Sequence, residues 1–369
     1  MRVPACAILG LFSVACADNT ESGLQPTAAE SCGRAPAPTS IDPRAGTWQL
    51  VVPEHAANEL GRAPRVADLV DACESFVSLS HSVGRGGKEQ SNGPSELLTS
   101  AHGETWTPHS FGIDNAFRDI ARGAGKWVAV GHGTSSPGAI AVADSLDQAA
   151  WREVFRSDGF YFNSVAYGAN TFVAVSNTGI ATSRDGEQWR WAEVPGPAQY
   201  FDVAFGDGHF VVAGVGATLS STDGQSWREM SCEDDAMCQP PRPPPAACAP
   251  GAACPDADQT QAESADHLAL QVVRHAGHKF YAFGASGELE SSDALTFRRT
   301  TQRADAAIGG VLVRMLPSPN EIDAGAQISV SEDDGSTWFA LPYERVETVD
   351  CRAAPCVALP LGILAFRAD

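Results

Sequence analysis

The chain has 369 residues, 43% of them hydrophobic and 8% aromatic, with a net charge of −20. That length exceeds one small core, and that composition sustains a packed interior. The acidic balance excludes sequence-independent binding to nucleic acid or anionic lipid, which requires a basic surface.

The first 17 residues read as an export signal. Arg2 is a minimal positive start, and Val3 to Ala15 is an apolar run too short to span a bilayer. Ser13-Val14-Ala15-Cys16 resembles a bacterial lipobox in which Cys16 is lipidated, with Ser in place of the usual Leu. Ala15-Cys16-Ala17 is equally an A-x-A site for ordinary signal cleavage. The lipoprotein reading is preferred: an outer-membrane lipoprotein, otherwise periplasmic or secreted, touching membrane only through its lipid. Residues 18–39, rich in Pro, Ala, Ser and Thr, read as a flexible tether.

From residue 40 onward the chain repeats itself. SRDGEQW at Ser183–Trp189, STDGQSW at Ser221–Trp227 and SEDDGSTW at Ser331–Trp338 share serine, aspartate, glycine and tryptophan. Weaker copies end at Trp48, Trp106, Trp151 and Phe297. Successive motif serines from Ser100 to Ser221 lie 45, 38 and 38 residues apart, a propeller-like or helical-array period. Upstream of each motif, short β-branched runs broken by Gly, Asp and Asn predict strands. Ile120/Trp127, Val165/Phe172, Val203/Phe210, Val273/Phe280 and Val349/Cys356 are each seven apart, and Phe172, Phe210 and Phe280 each precede a motif serine by eleven. Three strands plus one opening at each tryptophan make a four-stranded antiparallel unit. The seven aromatic markers predict an all-β, seven-bladed β-propeller. In its last blade, strands near Glu347–Cys351, Cys356–Leu359 and Gly362–Arg367 are completed by an N-terminal strand at Thr47–Val52, which removes open edges.

In the motif, glycine permits a positive φ in a tight turn, Asp and Ser bond turn amides, and tryptophan buries a large ring. The motif resembles the Asp-box (BNR repeat) of sialidase-like propellers, with good copies at Ser183, Asp185, Gly186, Trp189; Ser221, Asp223, Gly224, Trp227; and Ser331, Asp333, Gly335, Trp338. It is found in sialidases, xyloglucan-cleaving hydrolases, sortilin-type receptors and the photosystem II assembly-factor family, on the blade rim away from the ligand face. The resemblance covers about residues 40–369 and implies fold rather than activity.

The expected ligand face is built by loops joining strands two to three and four to one. They carry Arg85, His132, Asp158, Tyr161, Tyr200, Arg303, Asp305, Tyr343, Glu344 and Arg345. Sialidase-like chemistry calls for three arginines gripping a carboxylate, a Tyr/Glu nucleophile and an acid/base Asp. The usual F/Y-R-I/L-P segment is absent; Phe117-Arg118-Asp119-Ile120 lacks its proline. No P-loop and no G-x-S-x-G elbow occur. His275, His278 and His209 read as solvated turn histidines, and no cofactor or metal site is expected. Residues 231–263, Cys- and Pro-rich, read as an insertion over the ligand face. Its cysteines pair most simply as Cys232–Cys238 and Cys248–Cys254, although three pairings are open. Cys351 and Cys356 flank a short turn, and Cys32 and Cys73 remain as a pair. Eight cysteines beyond the signal fit an oxidising compartment.

The sequence therefore points to a monomeric, non-catalytic binding or assembly module of the cell envelope, with an unknown protein or glycan ligand. The alternatives are a sialidase-like glycoside hydrolase and an assembly factor resembling the photosystem II stability family.

Overall fold

The computed structural model describes residues 40–51, 67–71, 76–81, 95–100, 107–113, 115–133, 138–146, 150–157, 160–195, 198–233, 269–308, 310–316, 327–345, 356–359 and 362–368. Short runs of Val, Phe, Thr and Ala broken by Gly and Asp fold as they should: every named element is a strand.

The strands are β1 (Gly46–Val51), β2 (Ala67–Asp71), β3 (Phe76–His81), β4 (Ser95–Ser100), β5 (Thr107–Ser110), β6 (Asn115–Gly123), β7 (Lys126–Gly133), β8 (Gly138–Ala143) and β9 (Arg152–Ser157). Next come β10 (Phe162–Gly168), β11 (Thr171–Ser176), β12 (Ile180–Ser183), β13 (Arg190–Trp191), β14 (Gln199–Gly206), β15 (His209–Val215), β16 (Leu219–Ser221), β17 (Arg228–Glu229) and β18 (Ser231–Cys232). The last are β19 (Leu270–Ala276), β20 (Lys279–Gly284), β21 (Gly287–Ser291), β22 (Thr296–Arg299), β23 (Ala306–Ile308), β24 (Val311–Leu316), β25 (Gln327–Ser331), β26 (Phe339–Ala340), β27 (Glu344–Arg345), β28 (Cys356–Leu359) and β29 (Gly362–Ala368).

Consecutive strands form sheets I (β2–β5), II (β6–β9), III (β10–β13), IV (β14–β17), V (β19–β22) and VI (β23–β26). Sheet VII runs β28-β29-β1-β27, so the N-terminal strand pairs with the C-terminal one, Trp48 opposite Phe366. The strand expected at Glu347–Cys351 lies outside the described residues.

The expected purely antiparallel, four-stranded unit needs one correction. Sheet V has a fifth strand, β18, lying parallel to its outer strand β22, and β27 lies parallel to β1 in the same way. In both places the chain leaving one sheet runs along the outer edge of the next before crossing inward. This occupies an edge whose N–H and C=O groups would otherwise be free to pair elsewhere.

The core lies between sheets rather than within them. Val77, Leu79 and Leu97 of sheet I pack against Phe117, Ile120 and Trp127 of sheet II. Equivalent clusters join II to III, III to IV, IV to V, V to VI and VI to VII. Successive small sheets packed face to face are β-propeller architecture.

The two sequence spacings now have physical causes. Two-residue turns with both φ positive, Ala169-Asn170 and Asp207-Gly208, join first strand to second and hold the seven-residue interval. The eleven-residue interval is a cross-strand pair: Phe172 faces Ser183, Phe210 faces Ser221 and Phe280 faces Ser291.

Each motif is a bonded turn. Ser183 Oγ donates to Asp185 Oδ1 at 3.0 Å and accepts from the Gly186 amide at 2.9 Å. Asp185 Oδ1 also accepts from the Glu187 and Gln188 amides, and Trp189 Nε1 donates to the Gly186 carbonyl at 2.8 Å. The Ser331 turn repeats the pattern, indole bond included, and the Ser221 turn repeats its serine and aspartate bonds while Trp227 Nε1 is buried without a partner. Ser291–Phe297 keeps the serine–aspartate bond and the two amide bonds to Asp293 without glycine, Ala294 taking a φ of 54°. Glycine answers to space as well as to φ: a Cβ at Gly224 would lie 2.8 Å from Val173 of the preceding sheet. Two of the three lysines tie these turns down. Lys126 of sheet II reaches Glu187 of sheet III at 2.9 Å, and Lys279 of sheet V reaches Asp334 of sheet VI at 2.8 Å.

The turn carboxylates titrate below their ordinary range. The Thr337 hydroxyl and amide, with Ser331, hold Asp333 at about 2. The Gln188 amide leads at Asp185; at Asp223 and Asp293 burial pushes upward but turn amides outweigh it. A folded pKa below the unfolded value of about 3.9 gives stability that is present above pH ~4 and lost as pH falls towards 2. The melting temperature should therefore fall between pH 4 and 2. Replacing all four aspartates by asparagine, which keeps an acceptor without a titrating proton, should flatten that interval in scanning calorimetry.

Candidate functional site

The innermost strands carry the organising irregularity. β6, β10, β14 and β19 each hold a bulge, between Phe117/Asp119, Phe162/Ser164, Tyr200/Asp202 and Leu270/Val272. A bulge adds one residue, re-aims its side chain and sharpens the local twist. The extra residues are Arg118, Asn163, Phe201 and Gln271.

Two ladders follow. Arg118 Nη1 donates to Asn163 Oδ1 at 2.8 Å, and Asn163 Nδ2 donates to the Tyr200 carbonyl at 2.8 Å, linking sheets II, III and IV. One residue further on, Asp119 Oδ2 accepts from the Val165 amide at 2.7 Å and from Ser164 Oγ at 2.8 Å, while Oδ1 takes the Ile120 amide at 2.7 Å. Ser164 Oγ accepts from the Val203 amide at 3.4 Å, and Asp202 Oδ2 from the Val273 amide at 2.9 Å. In this second ladder Asp119, Ser164 and Asp202 each clasp a backbone amide of the next sheet.

At the ends of sheets II and III, where strands four lead into strands one, aromatic rings gather. Tyr161 is exposed. The Arg118 guanidinium lies 5.6 Å from its ring centre, the His132 ring 5.1 Å away edge-on, and its amide donates to Asn177 Oδ1. Burial lowers the Arg118 pKa, although the nearby Tyr161 opposes this. Trp191 stacks on buried Phe162 at 5.9 Å and 11°, with Phe155 and Phe160 at its edges.

A second corner joins sheets V and VI. Arg303 Nη1 reaches Glu288 at 3.3 Å, Arg303 Nε and Arg274 Nη1 approach Asp305 Oδ1 at 3.8 and 3.6 Å, and Arg303 lies over Phe283. Arg314 covers the Trp338 ring at 4.3 Å, its pKa lowered by burial.

Several expected face residues sit elsewhere. Tyr200 is not a surface ligand group: it is fully buried in the core between sheets III and IV, and burial, helped by Glu229, pushes its phenol to about 12. Asp305 is buried and accepts from the Met315 amide at 2.7 Å. His132 is buried in β7, backing Tyr161. Tyr343 packs on the Trp48 cluster, and Glu344 and Arg345 belong to β27 at the outer edge of sheet VII, because their backbone pairs with Gln49 and Leu50.

His275 is not a solvated turn histidine either. Its ring packs on Phe280 and over Gly206, with Nε2 3.2 Å from Asp207 Oδ2; His278 Nδ1 lies 3.4 Å from the same oxygen and is exposed. Arg85 and Asp158 lie outside the described residues. Cys232 is disulfide-bonded at the outer edge of sheet V; the side chains of the remaining cysteines lie outside the described residues.

Trp191, Asn163 and Phe160 were missed by sequence reasoning. The available signal was W-x-W at Trp189–Trp191, which places a second ring two residues beyond the turn tryptophan on the same strand. Among the described residues, no three or more His, Cys, Asp and Glu side chains are grouped to hold a metal ion, and no helix is long and apolar enough to cross a membrane.

No protein-family model and no curated protein matches the chain. Among solved structures, YCF48 bound to D1 peptide is 13% identical with a TM-score of 0.46, covering 90% of this chain and 98% of that one. YCF48 from Cyanidioschyzon merolae is 14% identical with a TM-score of 0.34, covering 69% and 96%. An ancestral GH74 enzyme is 12% identical with a TM-score of 0.40, covering 65% of this chain and 33% of that one.

Proposed function

We propose that the chain is an exported, lipid-anchored, seven-bladed Asp-box propeller that serves as a non-catalytic binding module at the cell envelope. The observation that carries this reading is the use made of the inner-strand carboxylates. Asp119, Asp202 and Asp305 each accept backbone amides, an arrangement that fixes strands rather than moving protons. The same end of the molecule offers rigid rings and half-buried guanidinium groups, which suit recognition.

Ring closure is part of the proposal. It is supported by the pairing of β1 with β29 and by contact of β28 with both β2 and β23. Removing residues 40–52 should leave β29 with an open edge, lower the melting temperature and promote aggregation in light scattering; an unchanged melt would end the closed-ring reading.

The functional test is a membrane-extract pull-down with the full chain and with residues 231–263 deleted, run beside a fluorogenic glycoside panel. Specific capture without turnover is expected. Turnover abolished by Arg303→Ala would replace the module reading with a glycoside hydrolase.

A further inference from the structure

The exposed large apolar side chains among the described residues are Tyr161, Trp191 and Val215. All three lie at one end of two adjacent sheets. Tyr161 is in the connection from β9 to β10, Trp191 ends β13 before the crossing to β14, and Val215 ends β15 before the turn to β16. These are the strand four-to-one and two-to-three ends, the face left free by the motif turns.

Trp191 is built as a platform. Buried Phe162 stacks under it, Phe155 and Phe160 hold its edges, and a Cβ on Gly179 would lie 3.3 Å from its Cε3 and Cζ3. Despite that packing it remains 44% exposed. Tyr161, 36% exposed, is fixed by Arg118, His132 and Asn177. Between them runs a rigid polar turn: Ser176 Oγ donates to the Gly179 carbonyl and accepts from the Thr178 and Gly179 amides, leaving Thr178 exposed.

Size and charge narrow the ligand. Whole aromatic side chains present ~150–250 Å², so the two exposed rings offer on the order of 200 Å², against ~800 Å² per partner in a stable protein interface. The net charge of −20 disfavours polyanions. The rings contact Phe155, Phe160, Phe162, His132 and Arg118, and that arginine is committed to Asn163 and Tyr161. What fits is a ligand with flat apolar faces of ring size and hydroxyl edges. We propose that Trp191 and Tyr161 form a stacking site for pyranose rings of an uncharged oligosaccharide. This rests on the binding-module reading and names its ligand class.

The test uses the full chain with cellohexaose, chitohexaose and mannohexaose as probes and sialyllactose as the charged comparison. Binding is followed by tryptophan fluorescence and saturation-transfer NMR. At least one neutral hexasaccharide should bind, with sugar C–H protons receiving saturation. Trp191→Ala should weaken it tenfold or more and Tyr161→Ala at least threefold, while Trp191→Phe retains part of the affinity. Thermal melts of each variant separate loss of ligand from loss of fold. The inference is overturned if no neutral hexasaccharide binds, if sialyllactose alone binds, or if well-folded Trp191→Ala binds like the native chain. Capture of a protein partner that survives Trp191→Ala would sink the glycan site and leave the module reading standing. Cleavage of a bound hexasaccharide that depends on Trp191 would support the platform and end the non-catalytic reading.

Discussion

Asp119→Ala should cost about 3–5 kcal/mol of folding stability, measured as a shift in the urea midpoint at unchanged slope. The carboxylate is 4% exposed and takes the Ile120 and Val165 amides and the Ser164 hydroxyl. Its removal leaves these donors buried without their acceptor, and each orphaned donor costs ~1–3 kcal/mol. Asp119→Asn, which keeps an oxygen acceptor, should cost roughly half as much. Hydrogen exchange locates the damage: the Val165 amide should lose protection before amides of sheet VI do. Uniform loss across the sheets would mean that Asp119 is not a local clasp between II and III.

Gly131→Ala should be as damaging, about 3 kcal/mol or more, for a different reason. Gly131 pairs with Phe117 directly beside the Arg118 bulge, and an added Cβ would lie 2.2 Å from the Ala116 carbonyl oxygen and 2.6 Å from Phe117 Cα. Both are backbone atoms of the bulged strand, so relief requires the bulge itself to move. The control is Gly125→Ala, where φ is +74° but nothing lies within 4 Å of the added atom. There only the conformational cost of about 1 kcal/mol applies. Comparable effects at the two sites, read from calorimetric melting, would refute close approach as the role of Gly131.

Gly131 also shows where the sequence was legible and where it was not. The strands, the fixed spacing of Phe and motif serine, and the joining of the N-terminal strand to the last sheet were readable because side-chain period, turn residues and spacing all express them locally. A bulge does not: one extra residue in one strand changes no local composition. The sequence therefore carried no signal that Arg118, Asn163, Asp119 and Asp202 would bridge neighbouring sheets. A trace of the bulges existed, since glycine stands four residues after Trp127, Phe210 and Phe280, at Gly131, Gly214 and Gly284. Its meaning emerges only when the opposing backbone is in view. The Tyr343–Arg345 segment failed for another reason. A two-residue parallel strand has no signature of its own, so a segment expected over the ligand face lies along an edge.

The pairing of Gly46–Val51 with Ile363–Ala368 governs the order in which the molecule can assemble. Trp48 and Leu50, buried partners of Leu364 and Phe366, have nowhere to go until the last residues of the chain arrive. Each interior sheet is made from contiguous chain and can collapse early, whereas the seventh must close a loop as long as the molecule itself. Formation of this long-range pairing should then be the slow phase, and the waiting N-terminal segment is the stretch a chaperone would have to shield from aggregation. Joining that segment to the C-terminus by circular permutation should speed refolding without altering the pairing of β1 with β29.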